Sequence, residues 1–190
     1  MVRGGIIMNF TEESYKSFEL FNKDWALVTA GPMNDYNTMV IGWGELGTIW
    51  GRPMNKKPVV TVFVHPDRYT SQFLKKYDTF TVSFYDKKYM QALGYLGSHS
   101  GRKEDKVAAS GLTPAAMGDG VTFEEAKLTF LCKKIYFHQL SKEGLSQEIK
   151  DYYASQPKAY PNVTPDGTDD DWEPHYAVIG EIVDADGSFE

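Results

Sequence analysis

Strand-patterned runs closed by turn signals recur along this chain, and the helical stretches between them are too short to cover a parallel sheet. Pro58 to Val64 (PVVTVFV) is almost continuously apolar, as expected of a strand covered on both faces. Thr79 to Phe84 (TFTVSF) alternates with period two, and Ala126 to Phe137 is a long strand pattern that follows a turn at Gly118-Asp119-Gly120. Trp25 to Ala30 (WALVTA), a turn cluster at Gly31 to Asp35, and β-branched and apolar residues from Thr38 to Trp43 make a hairpin. His65-Pro66-Asp67 ends the apolar strand, and His175 to Asp184 (HYAVIGEIVD) returns as a strand that closes the same sheet. The pattern predicts a mainly β chain folded as an antiparallel barrel rather than a doubly wound fold.

Helices are expected as interruptions. Phe10 to Phe21 places Tyr15, Phe18 and Phe21 at three-residue steps behind a Thr11 cap, a short amphipathic helix that makes residues 1–24 a brace for the barrel. Thr70 to Lys76 fits a helix with Phe73 and Leu74 inward, and Lys87 to Leu96 fits another. Gly97 to Asp105 is polar and glycine-rich and reads as a loop. Residues 25–190 then form one domain without internal repeats, carrying a surface excursion at about 140–174. Within the excursion, Leu145 to Tyr153 has the spacing of a short amphipathic helix, whereas Gln156 to Glu173 has three prolines and the acidic run Asp169-Asp170-Asp171.

Charge and cysteine content exclude several function classes. Twenty Lys and Arg stand against 26 Asp and Glu, a net charge of -6, the wrong sign for a partner of nucleic acid or anionic lipid. No apolar run approaches the ~20 residues that span a bilayer. The opening MVRGGIIMNF is too short in apolar residues for a secretory signal, so a reducing cytoplasm is expected. Cys132 is the only cysteine, which excludes an internal disulfide, and it lies in a strand pattern as a small hydrophobe. The sequons at Asn9 and Asn162 are then chance matches.

Side-chain catalysts are hard to find. His65, His99, His138 and His175 are far apart in sequence, with no HExxH pair, so no metal site is expected. There is no GxSxG elbow, and neither GxGxxG nor GxxxxGK[ST] occurs. Three segments stand out instead. In Asn37 to Gly44 (NTMVIGWG), glycines bracket a tryptophan at a strand end, where backbone can approach a ligand closely. Arg68, Tyr69, Thr70 and Ser71 open a helix, which reads either as a phosphate seat or as a plain helix start with a solvated arginine. Ser100 to Lys106 carries three cations, either to draw an anionic ligand or as a solvated loop. The composition also holds 12 Tyr, 11 Phe and 4 Trp, enough to pack a sheet and still line a flat ligand. Anion sites beside an aromatic, glycine-rich edge, without a side-chain catalyst, point to a cofactor that carries the chemistry.

The ordered set Asn37-Thr38-Met39 leading to Gly42-Trp43, Arg68 to Ser71, Ser100-Gly101 with Asp105-Lys106, and His175 with Ile179-Gly180-Glu181 resembles the flavin reductase-like family over about residues 25 to 184. The resemblance implies an FMN-binding split β-barrel with short peripheral helices, a homodimer with the flavin near the subunit interface, and NADH or NADPH as electron donor. Asn37, Thr38, Met39, Val40, Ile41, Gly42 and Trp43 would then lie along the isoalloxazine and ribityl chain, and Arg68, Tyr69, Thr70 and Ser71 would hold the phosphate. Lys106 would be a cation near the flavin or phosphate, in a loop formed by Ser100 and Gly101. His175 would face the nicotinamide side, and Trp43, Trp50, Tyr69 and Trp172 are stacking candidates.

Two departures accompany the resemblance. Gly42 stands where relatives carry a hydroxyl residue, and the stretch from Leu140 to Pro174 is longer and more acidic than expected, reshaping the nicotinamide side. The expected activity is hydride transfer from NAD(P)H to flavin and onward delivery of electrons to free flavin, a redox partner protein or another acceptor. A flavoredoxin-type FMN carrier without its own nicotinamide site is the alternative, and a non-enzymatic binder of haem or another planar ligand is a third.

Overall fold

A computed structural model describes residues 9–160 and 172–187, so the acidic run Asp169 to Asp171 lies outside the described residues. Strand β1 (Ala26–Ala30) is buried along its whole length. Ala26, Val28 and Ala30 face one apolar cluster and Leu27 another, which explains why WALVTA lacks a polar face. Strands β2 (Asn37–Ile41) and β5 (Thr79–Phe84) flank it, both antiparallel. The full order is β2-β1-β5-β8-β9-β4-β3, with β3 (Gly44–Arg52), β4 (Asn55–Val64), β8 (Leu128–Gln139) and β9 (Tyr176–Gly187).

The two terminal strands of this sheet, β2 and β3, are consecutive in the chain and joined by Gly42 and Trp43 alone. A link that short cannot cross a flat sheet seven strands wide, so the sheet rolls until its edges meet. The Phe63 N–H donates to the Trp43 carbonyl at 3.2 Å, which carries the β3–β4 ladder one residue into this link. The result is the expected split antiparallel barrel. Its filling includes Val60, Val62, Phe80, Phe84, Phe130 and Val178, all but excluded from solvent. Gly180 is required there, since a Cβ on it would lie 2.5 Å from the Phe80 ring.

Helix α1 (Ser17–Asn22) places Leu20 and Phe21 against one end of the barrel. It is shorter than the span expected from Phe10, because the Thr11 hydroxyl donates to Asn9 Oδ1 instead of capping a helix, and Phe18 is exposed. Helix α2 (Tyr69–Lys76) follows β4, and a 3-10 turn at Lys87–Tyr89 leads into α3 (Met90–Ser98). Helix α3 and α4 (Lys106–Ser110) cover the outer face of β1 and β2 through Leu27, Leu93, Leu96 and Val40. Three strands were not anticipated: β3, and the small sheet of β6 (Pro114–Met117) and β7 (Gly120–Phe123). Helix α5 (Gln147–Ala154) lies in the excursion near its expected position.

Candidate functional site

Among the described residues strand β2 has a strand neighbour on one side only, so backbone groups along its other edge have no strand partner there. Its first residue, Asn37, is 6% exposed and donates from Nδ2 to Thr70 Oγ1 at 2.6 Å. That bond joins the start of the edge strand to the first turn of α2. Gly101 completes the junction, because a Cβ there would sit 2.3 Å from Asn37 Oδ1. Three segments distant in sequence, Asn37 to Trp43, Arg68 to Ser71 and Ser100 to Lys106, thus meet at one place.

At the start of α2, Thr70 and Ser71 are buried, and Ser71 Oγ donates to the Pro66 carbonyl. No side chain caps this helix, and among the described residues the Tyr69 and Thr70 N–H groups have no acceptor. These amides and the exposed Arg68 guanidinium are the outward donors, an arrangement suited to an anion. Arg102 adds a second guanidinium, stacked 4.8 Å from the Tyr69 ring centroid and donating to the Asp67 carbonyl. Beside the junction lies a cleft of about 450 Å³ lined by Asn37, Tyr69, Phe73, Gly101 and Lys106 among others.

Lys106 is 4% exposed and donates to the Leu96 and His99 carbonyls at 2.9 and 3.2 Å. It closes the last turn of α3, whose dipole favours a cation there. Burial, with the Arg68 charge adding to it, pushes this ammonium down to about 8. Its charge is therefore present at neutral pH and lost in mild alkali.

The far end of β2 leads to a cluster of rings. Trp43 stacks on His175 with centroids 4.3 Å apart, and His65 meets His175 edge-on at 5.2 Å. Tyr153 Oη is hydrogen-bonded to His175 Nδ1 at 2.6 Å, and the backbone N–H of His175 donates weakly to that oxygen at 3.4 Å. His175 is buried, and this desolvation, with His65 and Arg68 adding to it, pushes the imidazole down to about 3, so it is neutral. Burial also pulls His65 below its ordinary value, with Asp67 opposing and Arg68 assisting. The Arg68 charge thus lowers His65, His175 and Lys106 alike and acts on both the ring cluster and the buried ammonium.

Several sequence candidates fall elsewhere. Trp50 lies at the exposed tip of the β3–β4 hairpin, roughly 20 Å along the strand from Trp43 and remote from it within one chain. Trp172 is buried against Tyr153 inside the excursion and offers no free face to a ligand. Cys132 is in the barrel core, its thiol pushed well up by burial. The histidines separated in sequence come together as the pair His65 and His175, yet no metal-holding cluster exists among the described residues. Sequence reasoning missed His65, Tyr153 and Tyr160 as members of the ring cluster. Only the tyrosine density near residues 152–160 hinted at it.

A split barrel whose open edge strand runs from a cationic helix start to a ring cluster defines a class of protein that holds an elongated ligand, flat at one end and anionic at the other. The chain belongs to the flavin reductase like domain family, whose model matches residues 20–187. Solved structures with the same fold include flavoredoxin from Methanosarcina acetivorans, 19% identical, covering 87% of this chain and 69% of that one, with a TM-score of 0.59. Flavoredoxin of Desulfovibrio vulgaris (Miyazaki F) is 23% identical over 87% of this chain and 69% of its own, with a TM-score of 0.58. Nitrilotriacetate monooxygenase component B from Bacillus cereus is 16% identical over 87% and 69%, with a TM-score of 0.60. No curated protein matches the chain.

Proposed function

We propose that the chain binds FMN and works as an NAD(P)H:flavin oxidoreductase. The observation that carries this reading is the Asn37–Thr70 junction, which sets the free edge of β2 in line with the cationic start of α2. In this reading Arg68 and the Tyr69 and Thr70 amides bind the phosphate, Arg102 supports it from the Tyr69 ring, and backbone from Asn37 to Trp43 holds the ring system. Bound FMN supplies a hydride acceptor, N5, for the C4 hydride of a dihydronicotinamide. The protein's part is to set the two rings at stacking distance and to exclude water, and no side chain has to move a proton in that step. Lys106 supplies positive charge near the anionic end.

A homodimer in a reducing cytoplasm, passing electrons to free flavin or a redox partner protein, belongs to the same proposal. Light scattering at micromolar concentration is expected to give twice the chain mass. A monomer there would remove the dimer from the reading.

A second reading, an FMN electron carrier of the flavoredoxin kind, is favoured by one observation: His175, expected to face the nicotinamide, is covered by Trp43 and Tyr153. Anaerobic mixing with NADH or NADPH separates the two. A yellow protein that bleaches rapidly is the oxidoreductase, and one that stays yellow is the carrier. A protein that takes up no FMN is neither, which would leave a binder of another planar ligand.

A further inference from the structure

The excursion leaves the barrel between two strands that are themselves neighbours. Strands β8 and β9 pair as far as Gln139 and Tyr176, where a turn of a few residues would join them. Instead the neck is pinned by the Leu140 N–H donating to the His175 carbonyl at 3.0 Å and by Gln139 Nε2 donating to the Pro174 carbonyl at 2.9 Å. Barrel closure does not need what hangs beyond that neck. Within the excursion, Tyr153 and Trp172 pack with Leu145, Ala154 and Tyr160 as a cluster of their own.

This appendage nevertheless docks at one place. Tyr153 is 1% exposed and bonded to His175, the Tyr160 ring lies 4.9 Å from His65, and the Tyr152 ring lies 6.0 Å from Trp43. His65 stands three residues before Arg68, and Trp43 is separated from β2 by Gly42 alone, so the docked excursion reaches both ends of the segment that would hold the ligand. Trp43 keeps 39% of its surface exposed. That exposed surface lies beside the Tyr152 ring of α5.

Resting on the FMN reading above, we propose that α5 with Tyr160 is a cap, latched by the Tyr153–His175 hydrogen bond, that selects electron donors by size at the Trp43 end of the site. Tyr153 is a positioning residue in this scheme, acting through His175. A free dihydronicotinamide ring reaches the flavin with the cap closed, and a full dinucleotide does so only when the cap lifts. The reaction itself is unchanged: the donor's C4–H bond breaks, its electron pair and proton pass together as hydride, and an oxidised nicotinamide leaves.

The test uses Tyr153→Phe, which keeps the ring and removes the hydroxyl, and Tyr160→Leu as a second variant should the first fail to fold. Hydrogen exchange of the flavin-free protein across Leu145 to Tyr160 is expected to quicken about tenfold, the factor one ordinary hydrogen bond allows. Anaerobic reduction of the FMN-loaded protein is then followed with NADH and with 1-benzyl-1,4-dihydronicotinamide, which lacks the adenosine diphosphate. The variant is expected to gain about tenfold in its second-order rate with NADH, by the same hydrogen-bond factor, and to keep its rate with the small donor. Unchanged exchange overturns the latch. Faster exchange with an unchanged ratio of the two donors, or no reduction by either, overturns the selection by size. A chain that takes up no FMN refutes the proposed function instead, and the exchange measurement still decides the latch.

Discussion

Asn37 donates to Thr70 across 33 positions of sequence, and this bond of 2.6 Å is what joins the start of an edge strand to the start of a helix. Both residues are buried, so neither can exchange its partner for water without rearrangement. Asn37→Ala leaves Thr70 Oγ1 without its donor and is expected to cost about 1–3 kcal/mol of stability. FMN affinity is expected to fall at least tenfold with it. Thermal unfolding and a flavin titration check the two effects, and full affinity at reduced stability would detach Asn37 from the site.

Arg68→Ala removes the exposed guanidinium at the uncapped start of α2. A charge-assisted hydrogen bond contributes about 1.5–3 kcal/mol, so FMN affinity is expected to drop between ten- and a hundredfold. Riboflavin, which lacks the phosphate, is expected to bind as before. Equal losses for the two ligands, measured by fluorescence titration, would place the phosphate elsewhere.

Two glycines of the site are expected to answer differently to a methyl group. At Gly42 a Cβ meets the Phe21 carbonyl oxygen at 3.4 Å, an ordinary contact, so Gly42→Ala and Gly42→Ser fold with a change of about 1 kcal/mol or less. At Gly101 the Cβ would lie 2.3 Å from Asn37 Oδ1, so Gly101→Ala displaces Asn37 and weakens flavin binding as Asn37→Ala does. Circular dichroism melts and flavin titrations of the variants provide the comparison.

Lys106, with its ammonium pushed down to about 8, is expected to make flavin binding sensitive to alkali. As pH rises from 7 to 9.5 the ammonium loses its proton, the positive charge beside the site disappears, and FMN affinity is expected to decline with a midpoint near 8. Lys106→Met is expected to bind more weakly at pH 7 and to show no such midpoint. A titration curve that is the same for both proteins would assign the pH dependence to another group.

The barrel was legible where burial imposes a pattern. WALVTA and PVVTVFV are apolar runs and are largely buried, whereas TFTVSF alternates and yet is buried on its polar face as well, where Thr81 and Ser83 bond to Val121 and Thr122 of β7. Strand β3 was not legible, because Gly44, Gly47 and Gly51 interrupt it and most of its residues are exposed; pairing with β4, rather than a buried stripe, makes it a strand. The site was legible as three separate segments carrying a family pattern. Their junction was not, since nothing local in Asn37 announces Thr70 as its partner. Thr70 and Ser71, expected to hold a phosphate with their hydroxyls, turn out to be buried, a distinction that a helix start does not reveal in sequence. The ring cluster was the least visible, since it exists only once the excursion has folded back onto His175.

Strand β9 lies between β8 and β4, and so joins β2-β1-β5-β8 to β4-β3. It is also the strand made after all the others during synthesis. Until it forms, the two groups of strands have no shared ladder, and β4 and β8 each present an unpaired edge of mostly apolar residues. Until β9 is made, a growing chain therefore holds these adhesive surfaces open, and it completes them in a single pairing of high sequence separation. Chaperone dependence and losses to aggregation should accordingly follow the supply of β9: stalling translation just before Tyr176 is the point at which this protein is most exposed to wrong partners.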